Sequence, residues 1–221
     1  MKKVIAVFMC FLLCLFPMGC NDAKDRQTDT EKQHVDIEKQ NAKAKEALQK
    51  VLNKEQNFTF KSLVFDKVTE ENLEKFSFPT QGNAMNSFLP QGYIYVDFDS
   101  DGIDELLIVD MTLHFFLILR YDDENVNGYI LQSLSLQGIK TDGSFLDIWY
   151  SHTEDQQLST GYAVSRVEFD GLDCTVIQLA YKEDATDTYQ LKGKPARKAE
   201  VDKYFDDWNA NTTKMDWVII E

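Results

Sequence analysis

The chain has 221 residues, with 37 acidic side chains against 23 basic ones and a formal net charge of −14. That balance repels phosphate backbones and excludes nucleic acid as a partner, while favouring cations and basic proteins. The length suits one domain plus a tether.

The chain opens MKKVIAVFMCFLLCLFPMGCND. Lys2 and Lys3 precede an uncharged apolar run, Val4 to Phe16, and the sequence turns polar after Cys20. This pattern predicts a secretory signal over residues 1–19. The run is shorter than the roughly 20 apolar residues that a membrane-spanning helix needs. The stretch Leu15-Phe16-Pro17-Met18-Gly19-Cys20 resembles the lipobox of bacterial lipoproteins, although Pro17 stands where that family has an aliphatic residue. The resemblance implies acylation of Cys20 and places the rest of the chain on the extracytoplasmic face of a cell membrane. Two acyl chains, at about 0.8 kcal/mol per buried methylene, anchor stably. Cys10 and Cys14 fall in the signal, so Cys174 has no intrachain disulfide partner and reads as a small buried hydrophobe.

Residues 20–40 are charged and nearly free of apolar side chains, and they predict a flexible spacer. Ala44, Ala47, Leu48, Val51 and Leu52 then recur on one helical face, in a helix that ends near Asn53. FTFKSLVF reads as a strand. TEENLEKF reads as a short helix capped by Thr69. Ser77 to Gly92, with Pro79 and Pro90, reads as loop. From Tyr93 the pattern is of strands: Tyr93–Val96, Glu105–Val109, Leu113–Tyr121, Tyr129–Leu136, Ser144–Ser151, Leu158–Phe169, Asp173–Tyr181 and Thr188–Leu191. Asn127-Gly128, Asp142-Gly143 and Asp170-Gly171 supply turn chemistry between them. Leu106 to Val109 and Leu113 to Leu119 are apolar on both faces and predict central strands. A last helix follows Pro195, with Val201, Tyr204, Phe205 and Trp208 as its buried stripe. Met215 to Ile220 reads as a final strand. Residues 41–221 are thus expected to form one α+β domain. Its core is a mostly antiparallel β-sheet meander, with an N-terminal helix and a C-terminal helix packed on it.

Between the first two strands of that series lies DFDSDGIDE, Asp97 to Glu105. Calcium takes six to eight oxygens, and a loop can supply them from side chains at positions 1, 3, 5 and 9 and a carbonyl at 7. Here those are Asp97, Asp99, Asp101, Glu105 and the Ile103 carbonyl, with Gly102 allowing the sharp turn. Asp104 at position eight and Ile108 at position twelve depart from a helix–loop–helix EF-hand. The loop looks more like the strand–loop–strand calcium loops of FG-GAP repeats, which place an acid ninth. A second stretch, from Asp123, has Leu131 at nine. One copy cannot build a β-propeller. The expected cofactor is one structural calcium that ties two central strands together.

The whole layout is similar to uncharacterised lipoproteins of Gram-positive bacteria. The matching features are Cys20, a polar spacer, a helix ending Ala47 to Asn53, one loop from Asp97 to Leu106, TDGSF at Thr141 to Phe145, and a closing helix with Trp208. That family implies no activity. The expected function is a non-enzymatic lipoprotein whose calcium-stabilised domain binds an unidentified protein or small molecule. Trp149, Tyr150 and Tyr162 are candidate contacts. One alternative is an inhibitory or protective lipoprotein that masks a basic secreted protein. Another is a cell-wall hydrolase using Asp147, Glu154 or Asp155 near His152, but no convincing catalytic set is visible.

Overall fold

The computed structural model describes residues 22–62, 67–79, 85–113, 115–132, 138–152, 158–211 and 213–220. The signal over residues 1–19 and the lipid site at Cys20 lie outside the described residues. The chain divides into two compact units, residues 1–36 and 37–221. In the first unit the described part is helical, the opening of α1 (Asp22–Leu52). The stretch expected to be a flexible spacer is therefore helical from Asp22 onward. Its Ala, Glu, Lys and Gln residues are good helix formers even without an apolar face.

Among its described residues the second unit holds the rest of α1 and then fourteen strands and a second helix. In chain order these are β1 (Phe58–Ser62), β2 (Lys67–Glu71), β3 (Ser77–Pro79), β4 (Met85–Ser87), β5 (Gly92–Val96), β6 (Glu105–Asp110), β7 (Phe115–Asp122) and β8 (Asn125–Gln132). There follow β9 (Phe145–His152), β10 (Leu158–Asp170), β11 (Asp173–Glu183), a 3-10 turn, β12 (Thr188–Leu191), β13 (Lys194–Pro195), α2 (Lys198–Asn211) and β14 (Val218–Ile219).

The expected fold needs correction. Instead of one antiparallel meander carrying both helices, the strands of the described residues form three sheets. The largest has seven strands in the order β14-β5-β6-β7-β8-β1-β2. It is mixed, because β1 runs parallel to β8 with Thr59 opposite Asn127. The second sheet has five strands, β13-β12-β11-β10-β9, and β3-β4 is a separate hairpin. Strand dominates over helix, and each helix packs on a different sheet.

The apolar pattern explains the layering. All six residues of β6 are buried, as are the first five of β7. One face of these strands, with Leu106, Ile108, Leu117 and Leu119, meets Leu48 and Val51 of α1 and a group of phenylalanines that includes Phe58, Phe76 and Phe78. The opposite face, with Leu107, Val109, Phe116 and Ile118, meets Phe98, Phe145 and Val167, so the second sheet covers it. On the far side of that sheet, Val164 and Ala180 pack against Val201, Phe205 and Trp208 of α2.

Three local expectations also change. TEENLEKF is not a helix: Thr69 pairs with Phe60 across the β1–β2 hairpin, and Leu73 and Phe76 enter the core from the following turn. Residues 77–92 are not all loop, since β3 and β4 pair there. Asn127-Gly128 is not a turn but the middle of β8. The β7–β8 turn is made by Asp123 and Glu124, at φ 45° and 68°, with Asp122 opposite Asn125.

Candidate metal centre

The acidic loop is held at both ends by the sheet, where Val96 of β5 pairs with Glu105 of β6. Between them the chain folds on its own side chains. The Asp97 carboxylate accepts the backbone N–H groups of Asp101 (3.1 Å) and Gly102 (2.9 Å). Asp101 Oδ1 accepts the Ile103 N–H at 2.7 Å. Short acidic side chains commonly close turns in this way. Gly102 has a φ of +89°, and a Cβ there would lie 2.7 Å from Ile37 Cγ2. Both the conformation and the close approach favour glycine.

Two neighbours clamp the loop from outside. Asp104 turns to α1, where it pairs with Lys45 at 2.6 Å and its N–H donates to Asn41 Oδ1 at 3.0 Å. From the second sheet's side Gly143 (φ +72°) presses on the loop backbone; a Cβ there would sit 2.5 Å from the Asp97 carbonyl oxygen.

These constraints bring three carboxylates together. Asp97, Asp99 and Glu105 each present an oxygen, all within 4.8 Å of one another, in a group that could hold a metal ion. Glu105 is 1% exposed. Its Oε2 accepts the Phe98 N–H at 2.8 Å, but its Oε1 and Asp99 Oδ1 are buried without a hydrogen-bond partner. The other two buried acids among the described residues differ. Asp110 accepts backbone N–H groups from Leu89, Thr112 and Leu113 on its two oxygens. Glu183 accepts the hydroxyls of Ser159, Tyr181 and Thr186.

The loop's electrostatics follow from this crowding. Burial pushes Glu105 up to about 8; Asp99 and Asp101 add to the rise, and the Phe98 N–H and Arg120 oppose it. Burial, then Asp101, also raises Asp99. Arg120, on β7, is the cation that the sequence reading missed. Its Nη2 lies 3.1 Å from Asp99 and 3.4 Å from Asp101. Its Nε lies 3.5 Å from Glu105 Oε1, within ion-pair range but without hydrogen-bond geometry. The guanidinium sits 4.9 Å from the centroid of the Phe169 ring. Burial works against its charge, but Asp99, Glu105 and Asp101 outweigh that and hold it ionised. No local motif points to Arg120. It arrives by strand register, since Leu106 pairs with Leu119 and Arg120 is thereby set beside Glu105.

Of the five ligands expected from the sequence, Asp97, Asp99 and Glu105 converge. Asp101 stands at the edge, engaged by the Ile103 N–H and by Arg120. Ile103 is half-buried and, with Asp101 and Arg120, lines a cavity of about 300 Å³ beside the loop. The converging donors are hard carboxylate oxygens with no imidazole or thiolate among them, a set suited to a hard divalent cation.

The other candidates are described only in part. Asp147 lies half-buried on β9. Glu154 and Asp155 lie outside the described residues, as do the side chains of His152 and Trp149. Tyr150 is exposed, and Tyr162 packs toward α2. Burial, then Asp173, pushes the Cys174 thiol up to about 11, far from a reactive thiolate. Among the described residues no helix is long and apolar enough to cross a membrane. No family model, curated protein or solved structure matches the chain.

Proposed function

We propose that the chain is a lipid-anchored extracytoplasmic lipoprotein whose domain is stabilised by one calcium ion in the Asp97–Glu105 loop. It acts as a non-enzymatic binding module for a protein or small molecule. The observation that carries the calcium assignment is Glu105. A carboxylate that is 1% exposed, with one oxygen lacking a hydrogen bond and two more acids converging on it, is costly to ionise unless a cation closer than the Arg120 guanidinium, 3.5 Å away, neutralises it. Calcium fits better than magnesium, because all-protein carboxylate cages suit its larger, looser shell, while magnesium keeps several waters. Asp101 and the Ile103 carbonyl are close enough in sequence to complete the coordination. The lipid anchor rests on the lipobox-like sequence ending at Cys20 and on the polar segment after it.

The test is a calorimetric titration of calcium into the chelator-treated chain lacking residues 1–19, with a thermal melt alongside. One site and a higher melting temperature in calcium support the assignment. No heat and no shift at millimolar calcium contradict it.

A further inference from the structure

We infer that Arg120 is the resident cation of the acidic loop: it holds Asp99 and Asp101 beside the buried Glu105 without metal and weakens the site for the metal that competes with it. The competition rests on the calcium reading above; the role in the metal-free protein does not.

The geometry supports both parts. One guanidinium lies within 3.5 Å of oxygens from three acids of the loop. It is more than a loose surface partner, because its side chain is only 19% exposed on the central strand β7 and lies over the Phe169 ring. Among the described residues Arg120 is the one basic side chain that pairs with Asp99, Asp101 and Glu105. Arg120 also does not saturate them, since Glu105 Oε1 and Asp99 Oδ1 keep no hydrogen bond. Those oxygens belong to the same two residues that converge with Asp97. A metal on that group would lie within a few ångströms of a like charge, in surroundings that screen it poorly.

The sign of one effect separates this role from a merely structural one. If Arg120 only props the loop open for metal, its removal weakens metal binding. If it competes with the metal, its removal strengthens binding. Arg120→Met keeps an apolar stem over Phe169 and deletes the charge, whereas Arg120→Lys keeps the charge. Both are compared with the native chain by melting in chelator and by calcium calorimetry.

The Met variant should melt below the native chain in chelator, bind calcium at least about tenfold more tightly, and show the larger stabilisation by calcium. The Lys variant should stay near the native chain in both measurements. If the Met variant is unfolded in chelator, its melting temperature against free calcium gives the affinity by linkage. Equal or weaker calcium binding by the Met variant overturns the inference, as does melting level with the native chain in chelator. Calcium binding by the Met variant alone supports the inference and overturns calcium as the native ligand. Binding by neither variant nor the native chain overturns both the calcium reading and the competition.

Discussion

Glu105 behaves unlike an ordinary carboxylate, and its titration has a consequence for stability. Without metal it keeps its proton up to about pH 8, while the unfolded chain releases it near the ordinary value of 4.5. Between those values the folded state binds more protons than the unfolded state. Stability is therefore greatest below the lower value and falls as pH rises through the window, by at most about 1.4 kcal/mol per pH unit. In chelator the melting temperature should drop from about pH 5 to about pH 8, and Glu105→Gln should flatten the slope; parallel slopes would show that another group is responsible. Much of this site was legible from residue spacing. Acids at positions 1, 3 and 9 of one loop mark Asp97, Asp99 and Glu105, because a tight turn between paired strands folds alternate side chains inward. Arg120 was not legible. Its place depends on the β6–β7 register, which no short stretch encodes. Asp101 fits the spacing equally well, yet the Ile103 N–H and Arg120 hold it at the rim.

At the scale of elements, glycine was the least transparent signal. Asn127-Gly128 carries turn chemistry in a strand series, but Gly128 is needed for space, because a Cβ there would lie 2.6 Å from the Phe58 ring. Gly128→Ala should cost about 1–3 kcal/mol by overpacking and leave calcium affinity unchanged, as melting and titration would show. Gly143 has the opposite character. A Cβ there would strike the Asp97 carbonyl oxygen and the Phe98 Cα, so Gly143→Ala should lower stability and also weaken calcium binding. Unchanged binding would mean that the TDGSF turn does not set the loop's shape. Hairpins such as β10–β11 were readable because Asp170-Gly171 is a turn in fact, with Asp170 opposite Asp173. The β1–β2 strand at Thr69 was not, since capping residues and a Glu-rich composition imitate a helix start. There the apolar demands of Leu73 and Phe76 prevailed over local propensity.

Across the whole molecule, the double-sided burial of β6 and β7 was visible as two unbroken apolar runs, which alternating polar residues would have interrupted. What covers each side was not visible. The parallel β1–β8 pairing brings an early strand beside a late one, and the second sheet closes over the far face, through contacts hundreds of atoms apart in the chain. Leu48 shows the result: it is fully buried on α1 against one face of the seven-stranded sheet. Leu48→Ala should destabilise the domain by about 2–5 kcal/mol without changing the ligands of the loop, and a denaturant melt with a parallel calcium titration checks both. The same packing explains why a loop ion would matter to the entire domain. The loop joins β5 to β6, touches α1 through Asp104, and is pressed by Gly143 in the turn that leads into β9 of the other sheet, so whatever fixes it ties three layers together.

Calcium calorimetry on the native chain beside Glu105→Gln decides most directly whether the Asp97–Glu105 loop holds an ion. The native chain should show one site and the variant at least a tenfold loss of affinity, because one oxygen of the buried Glu105 carboxylate has no hydrogen-bond partner among the described residues. Native binding that survives the substitution unchanged, or no binding at millimolar calcium, would contradict the calcium assignment.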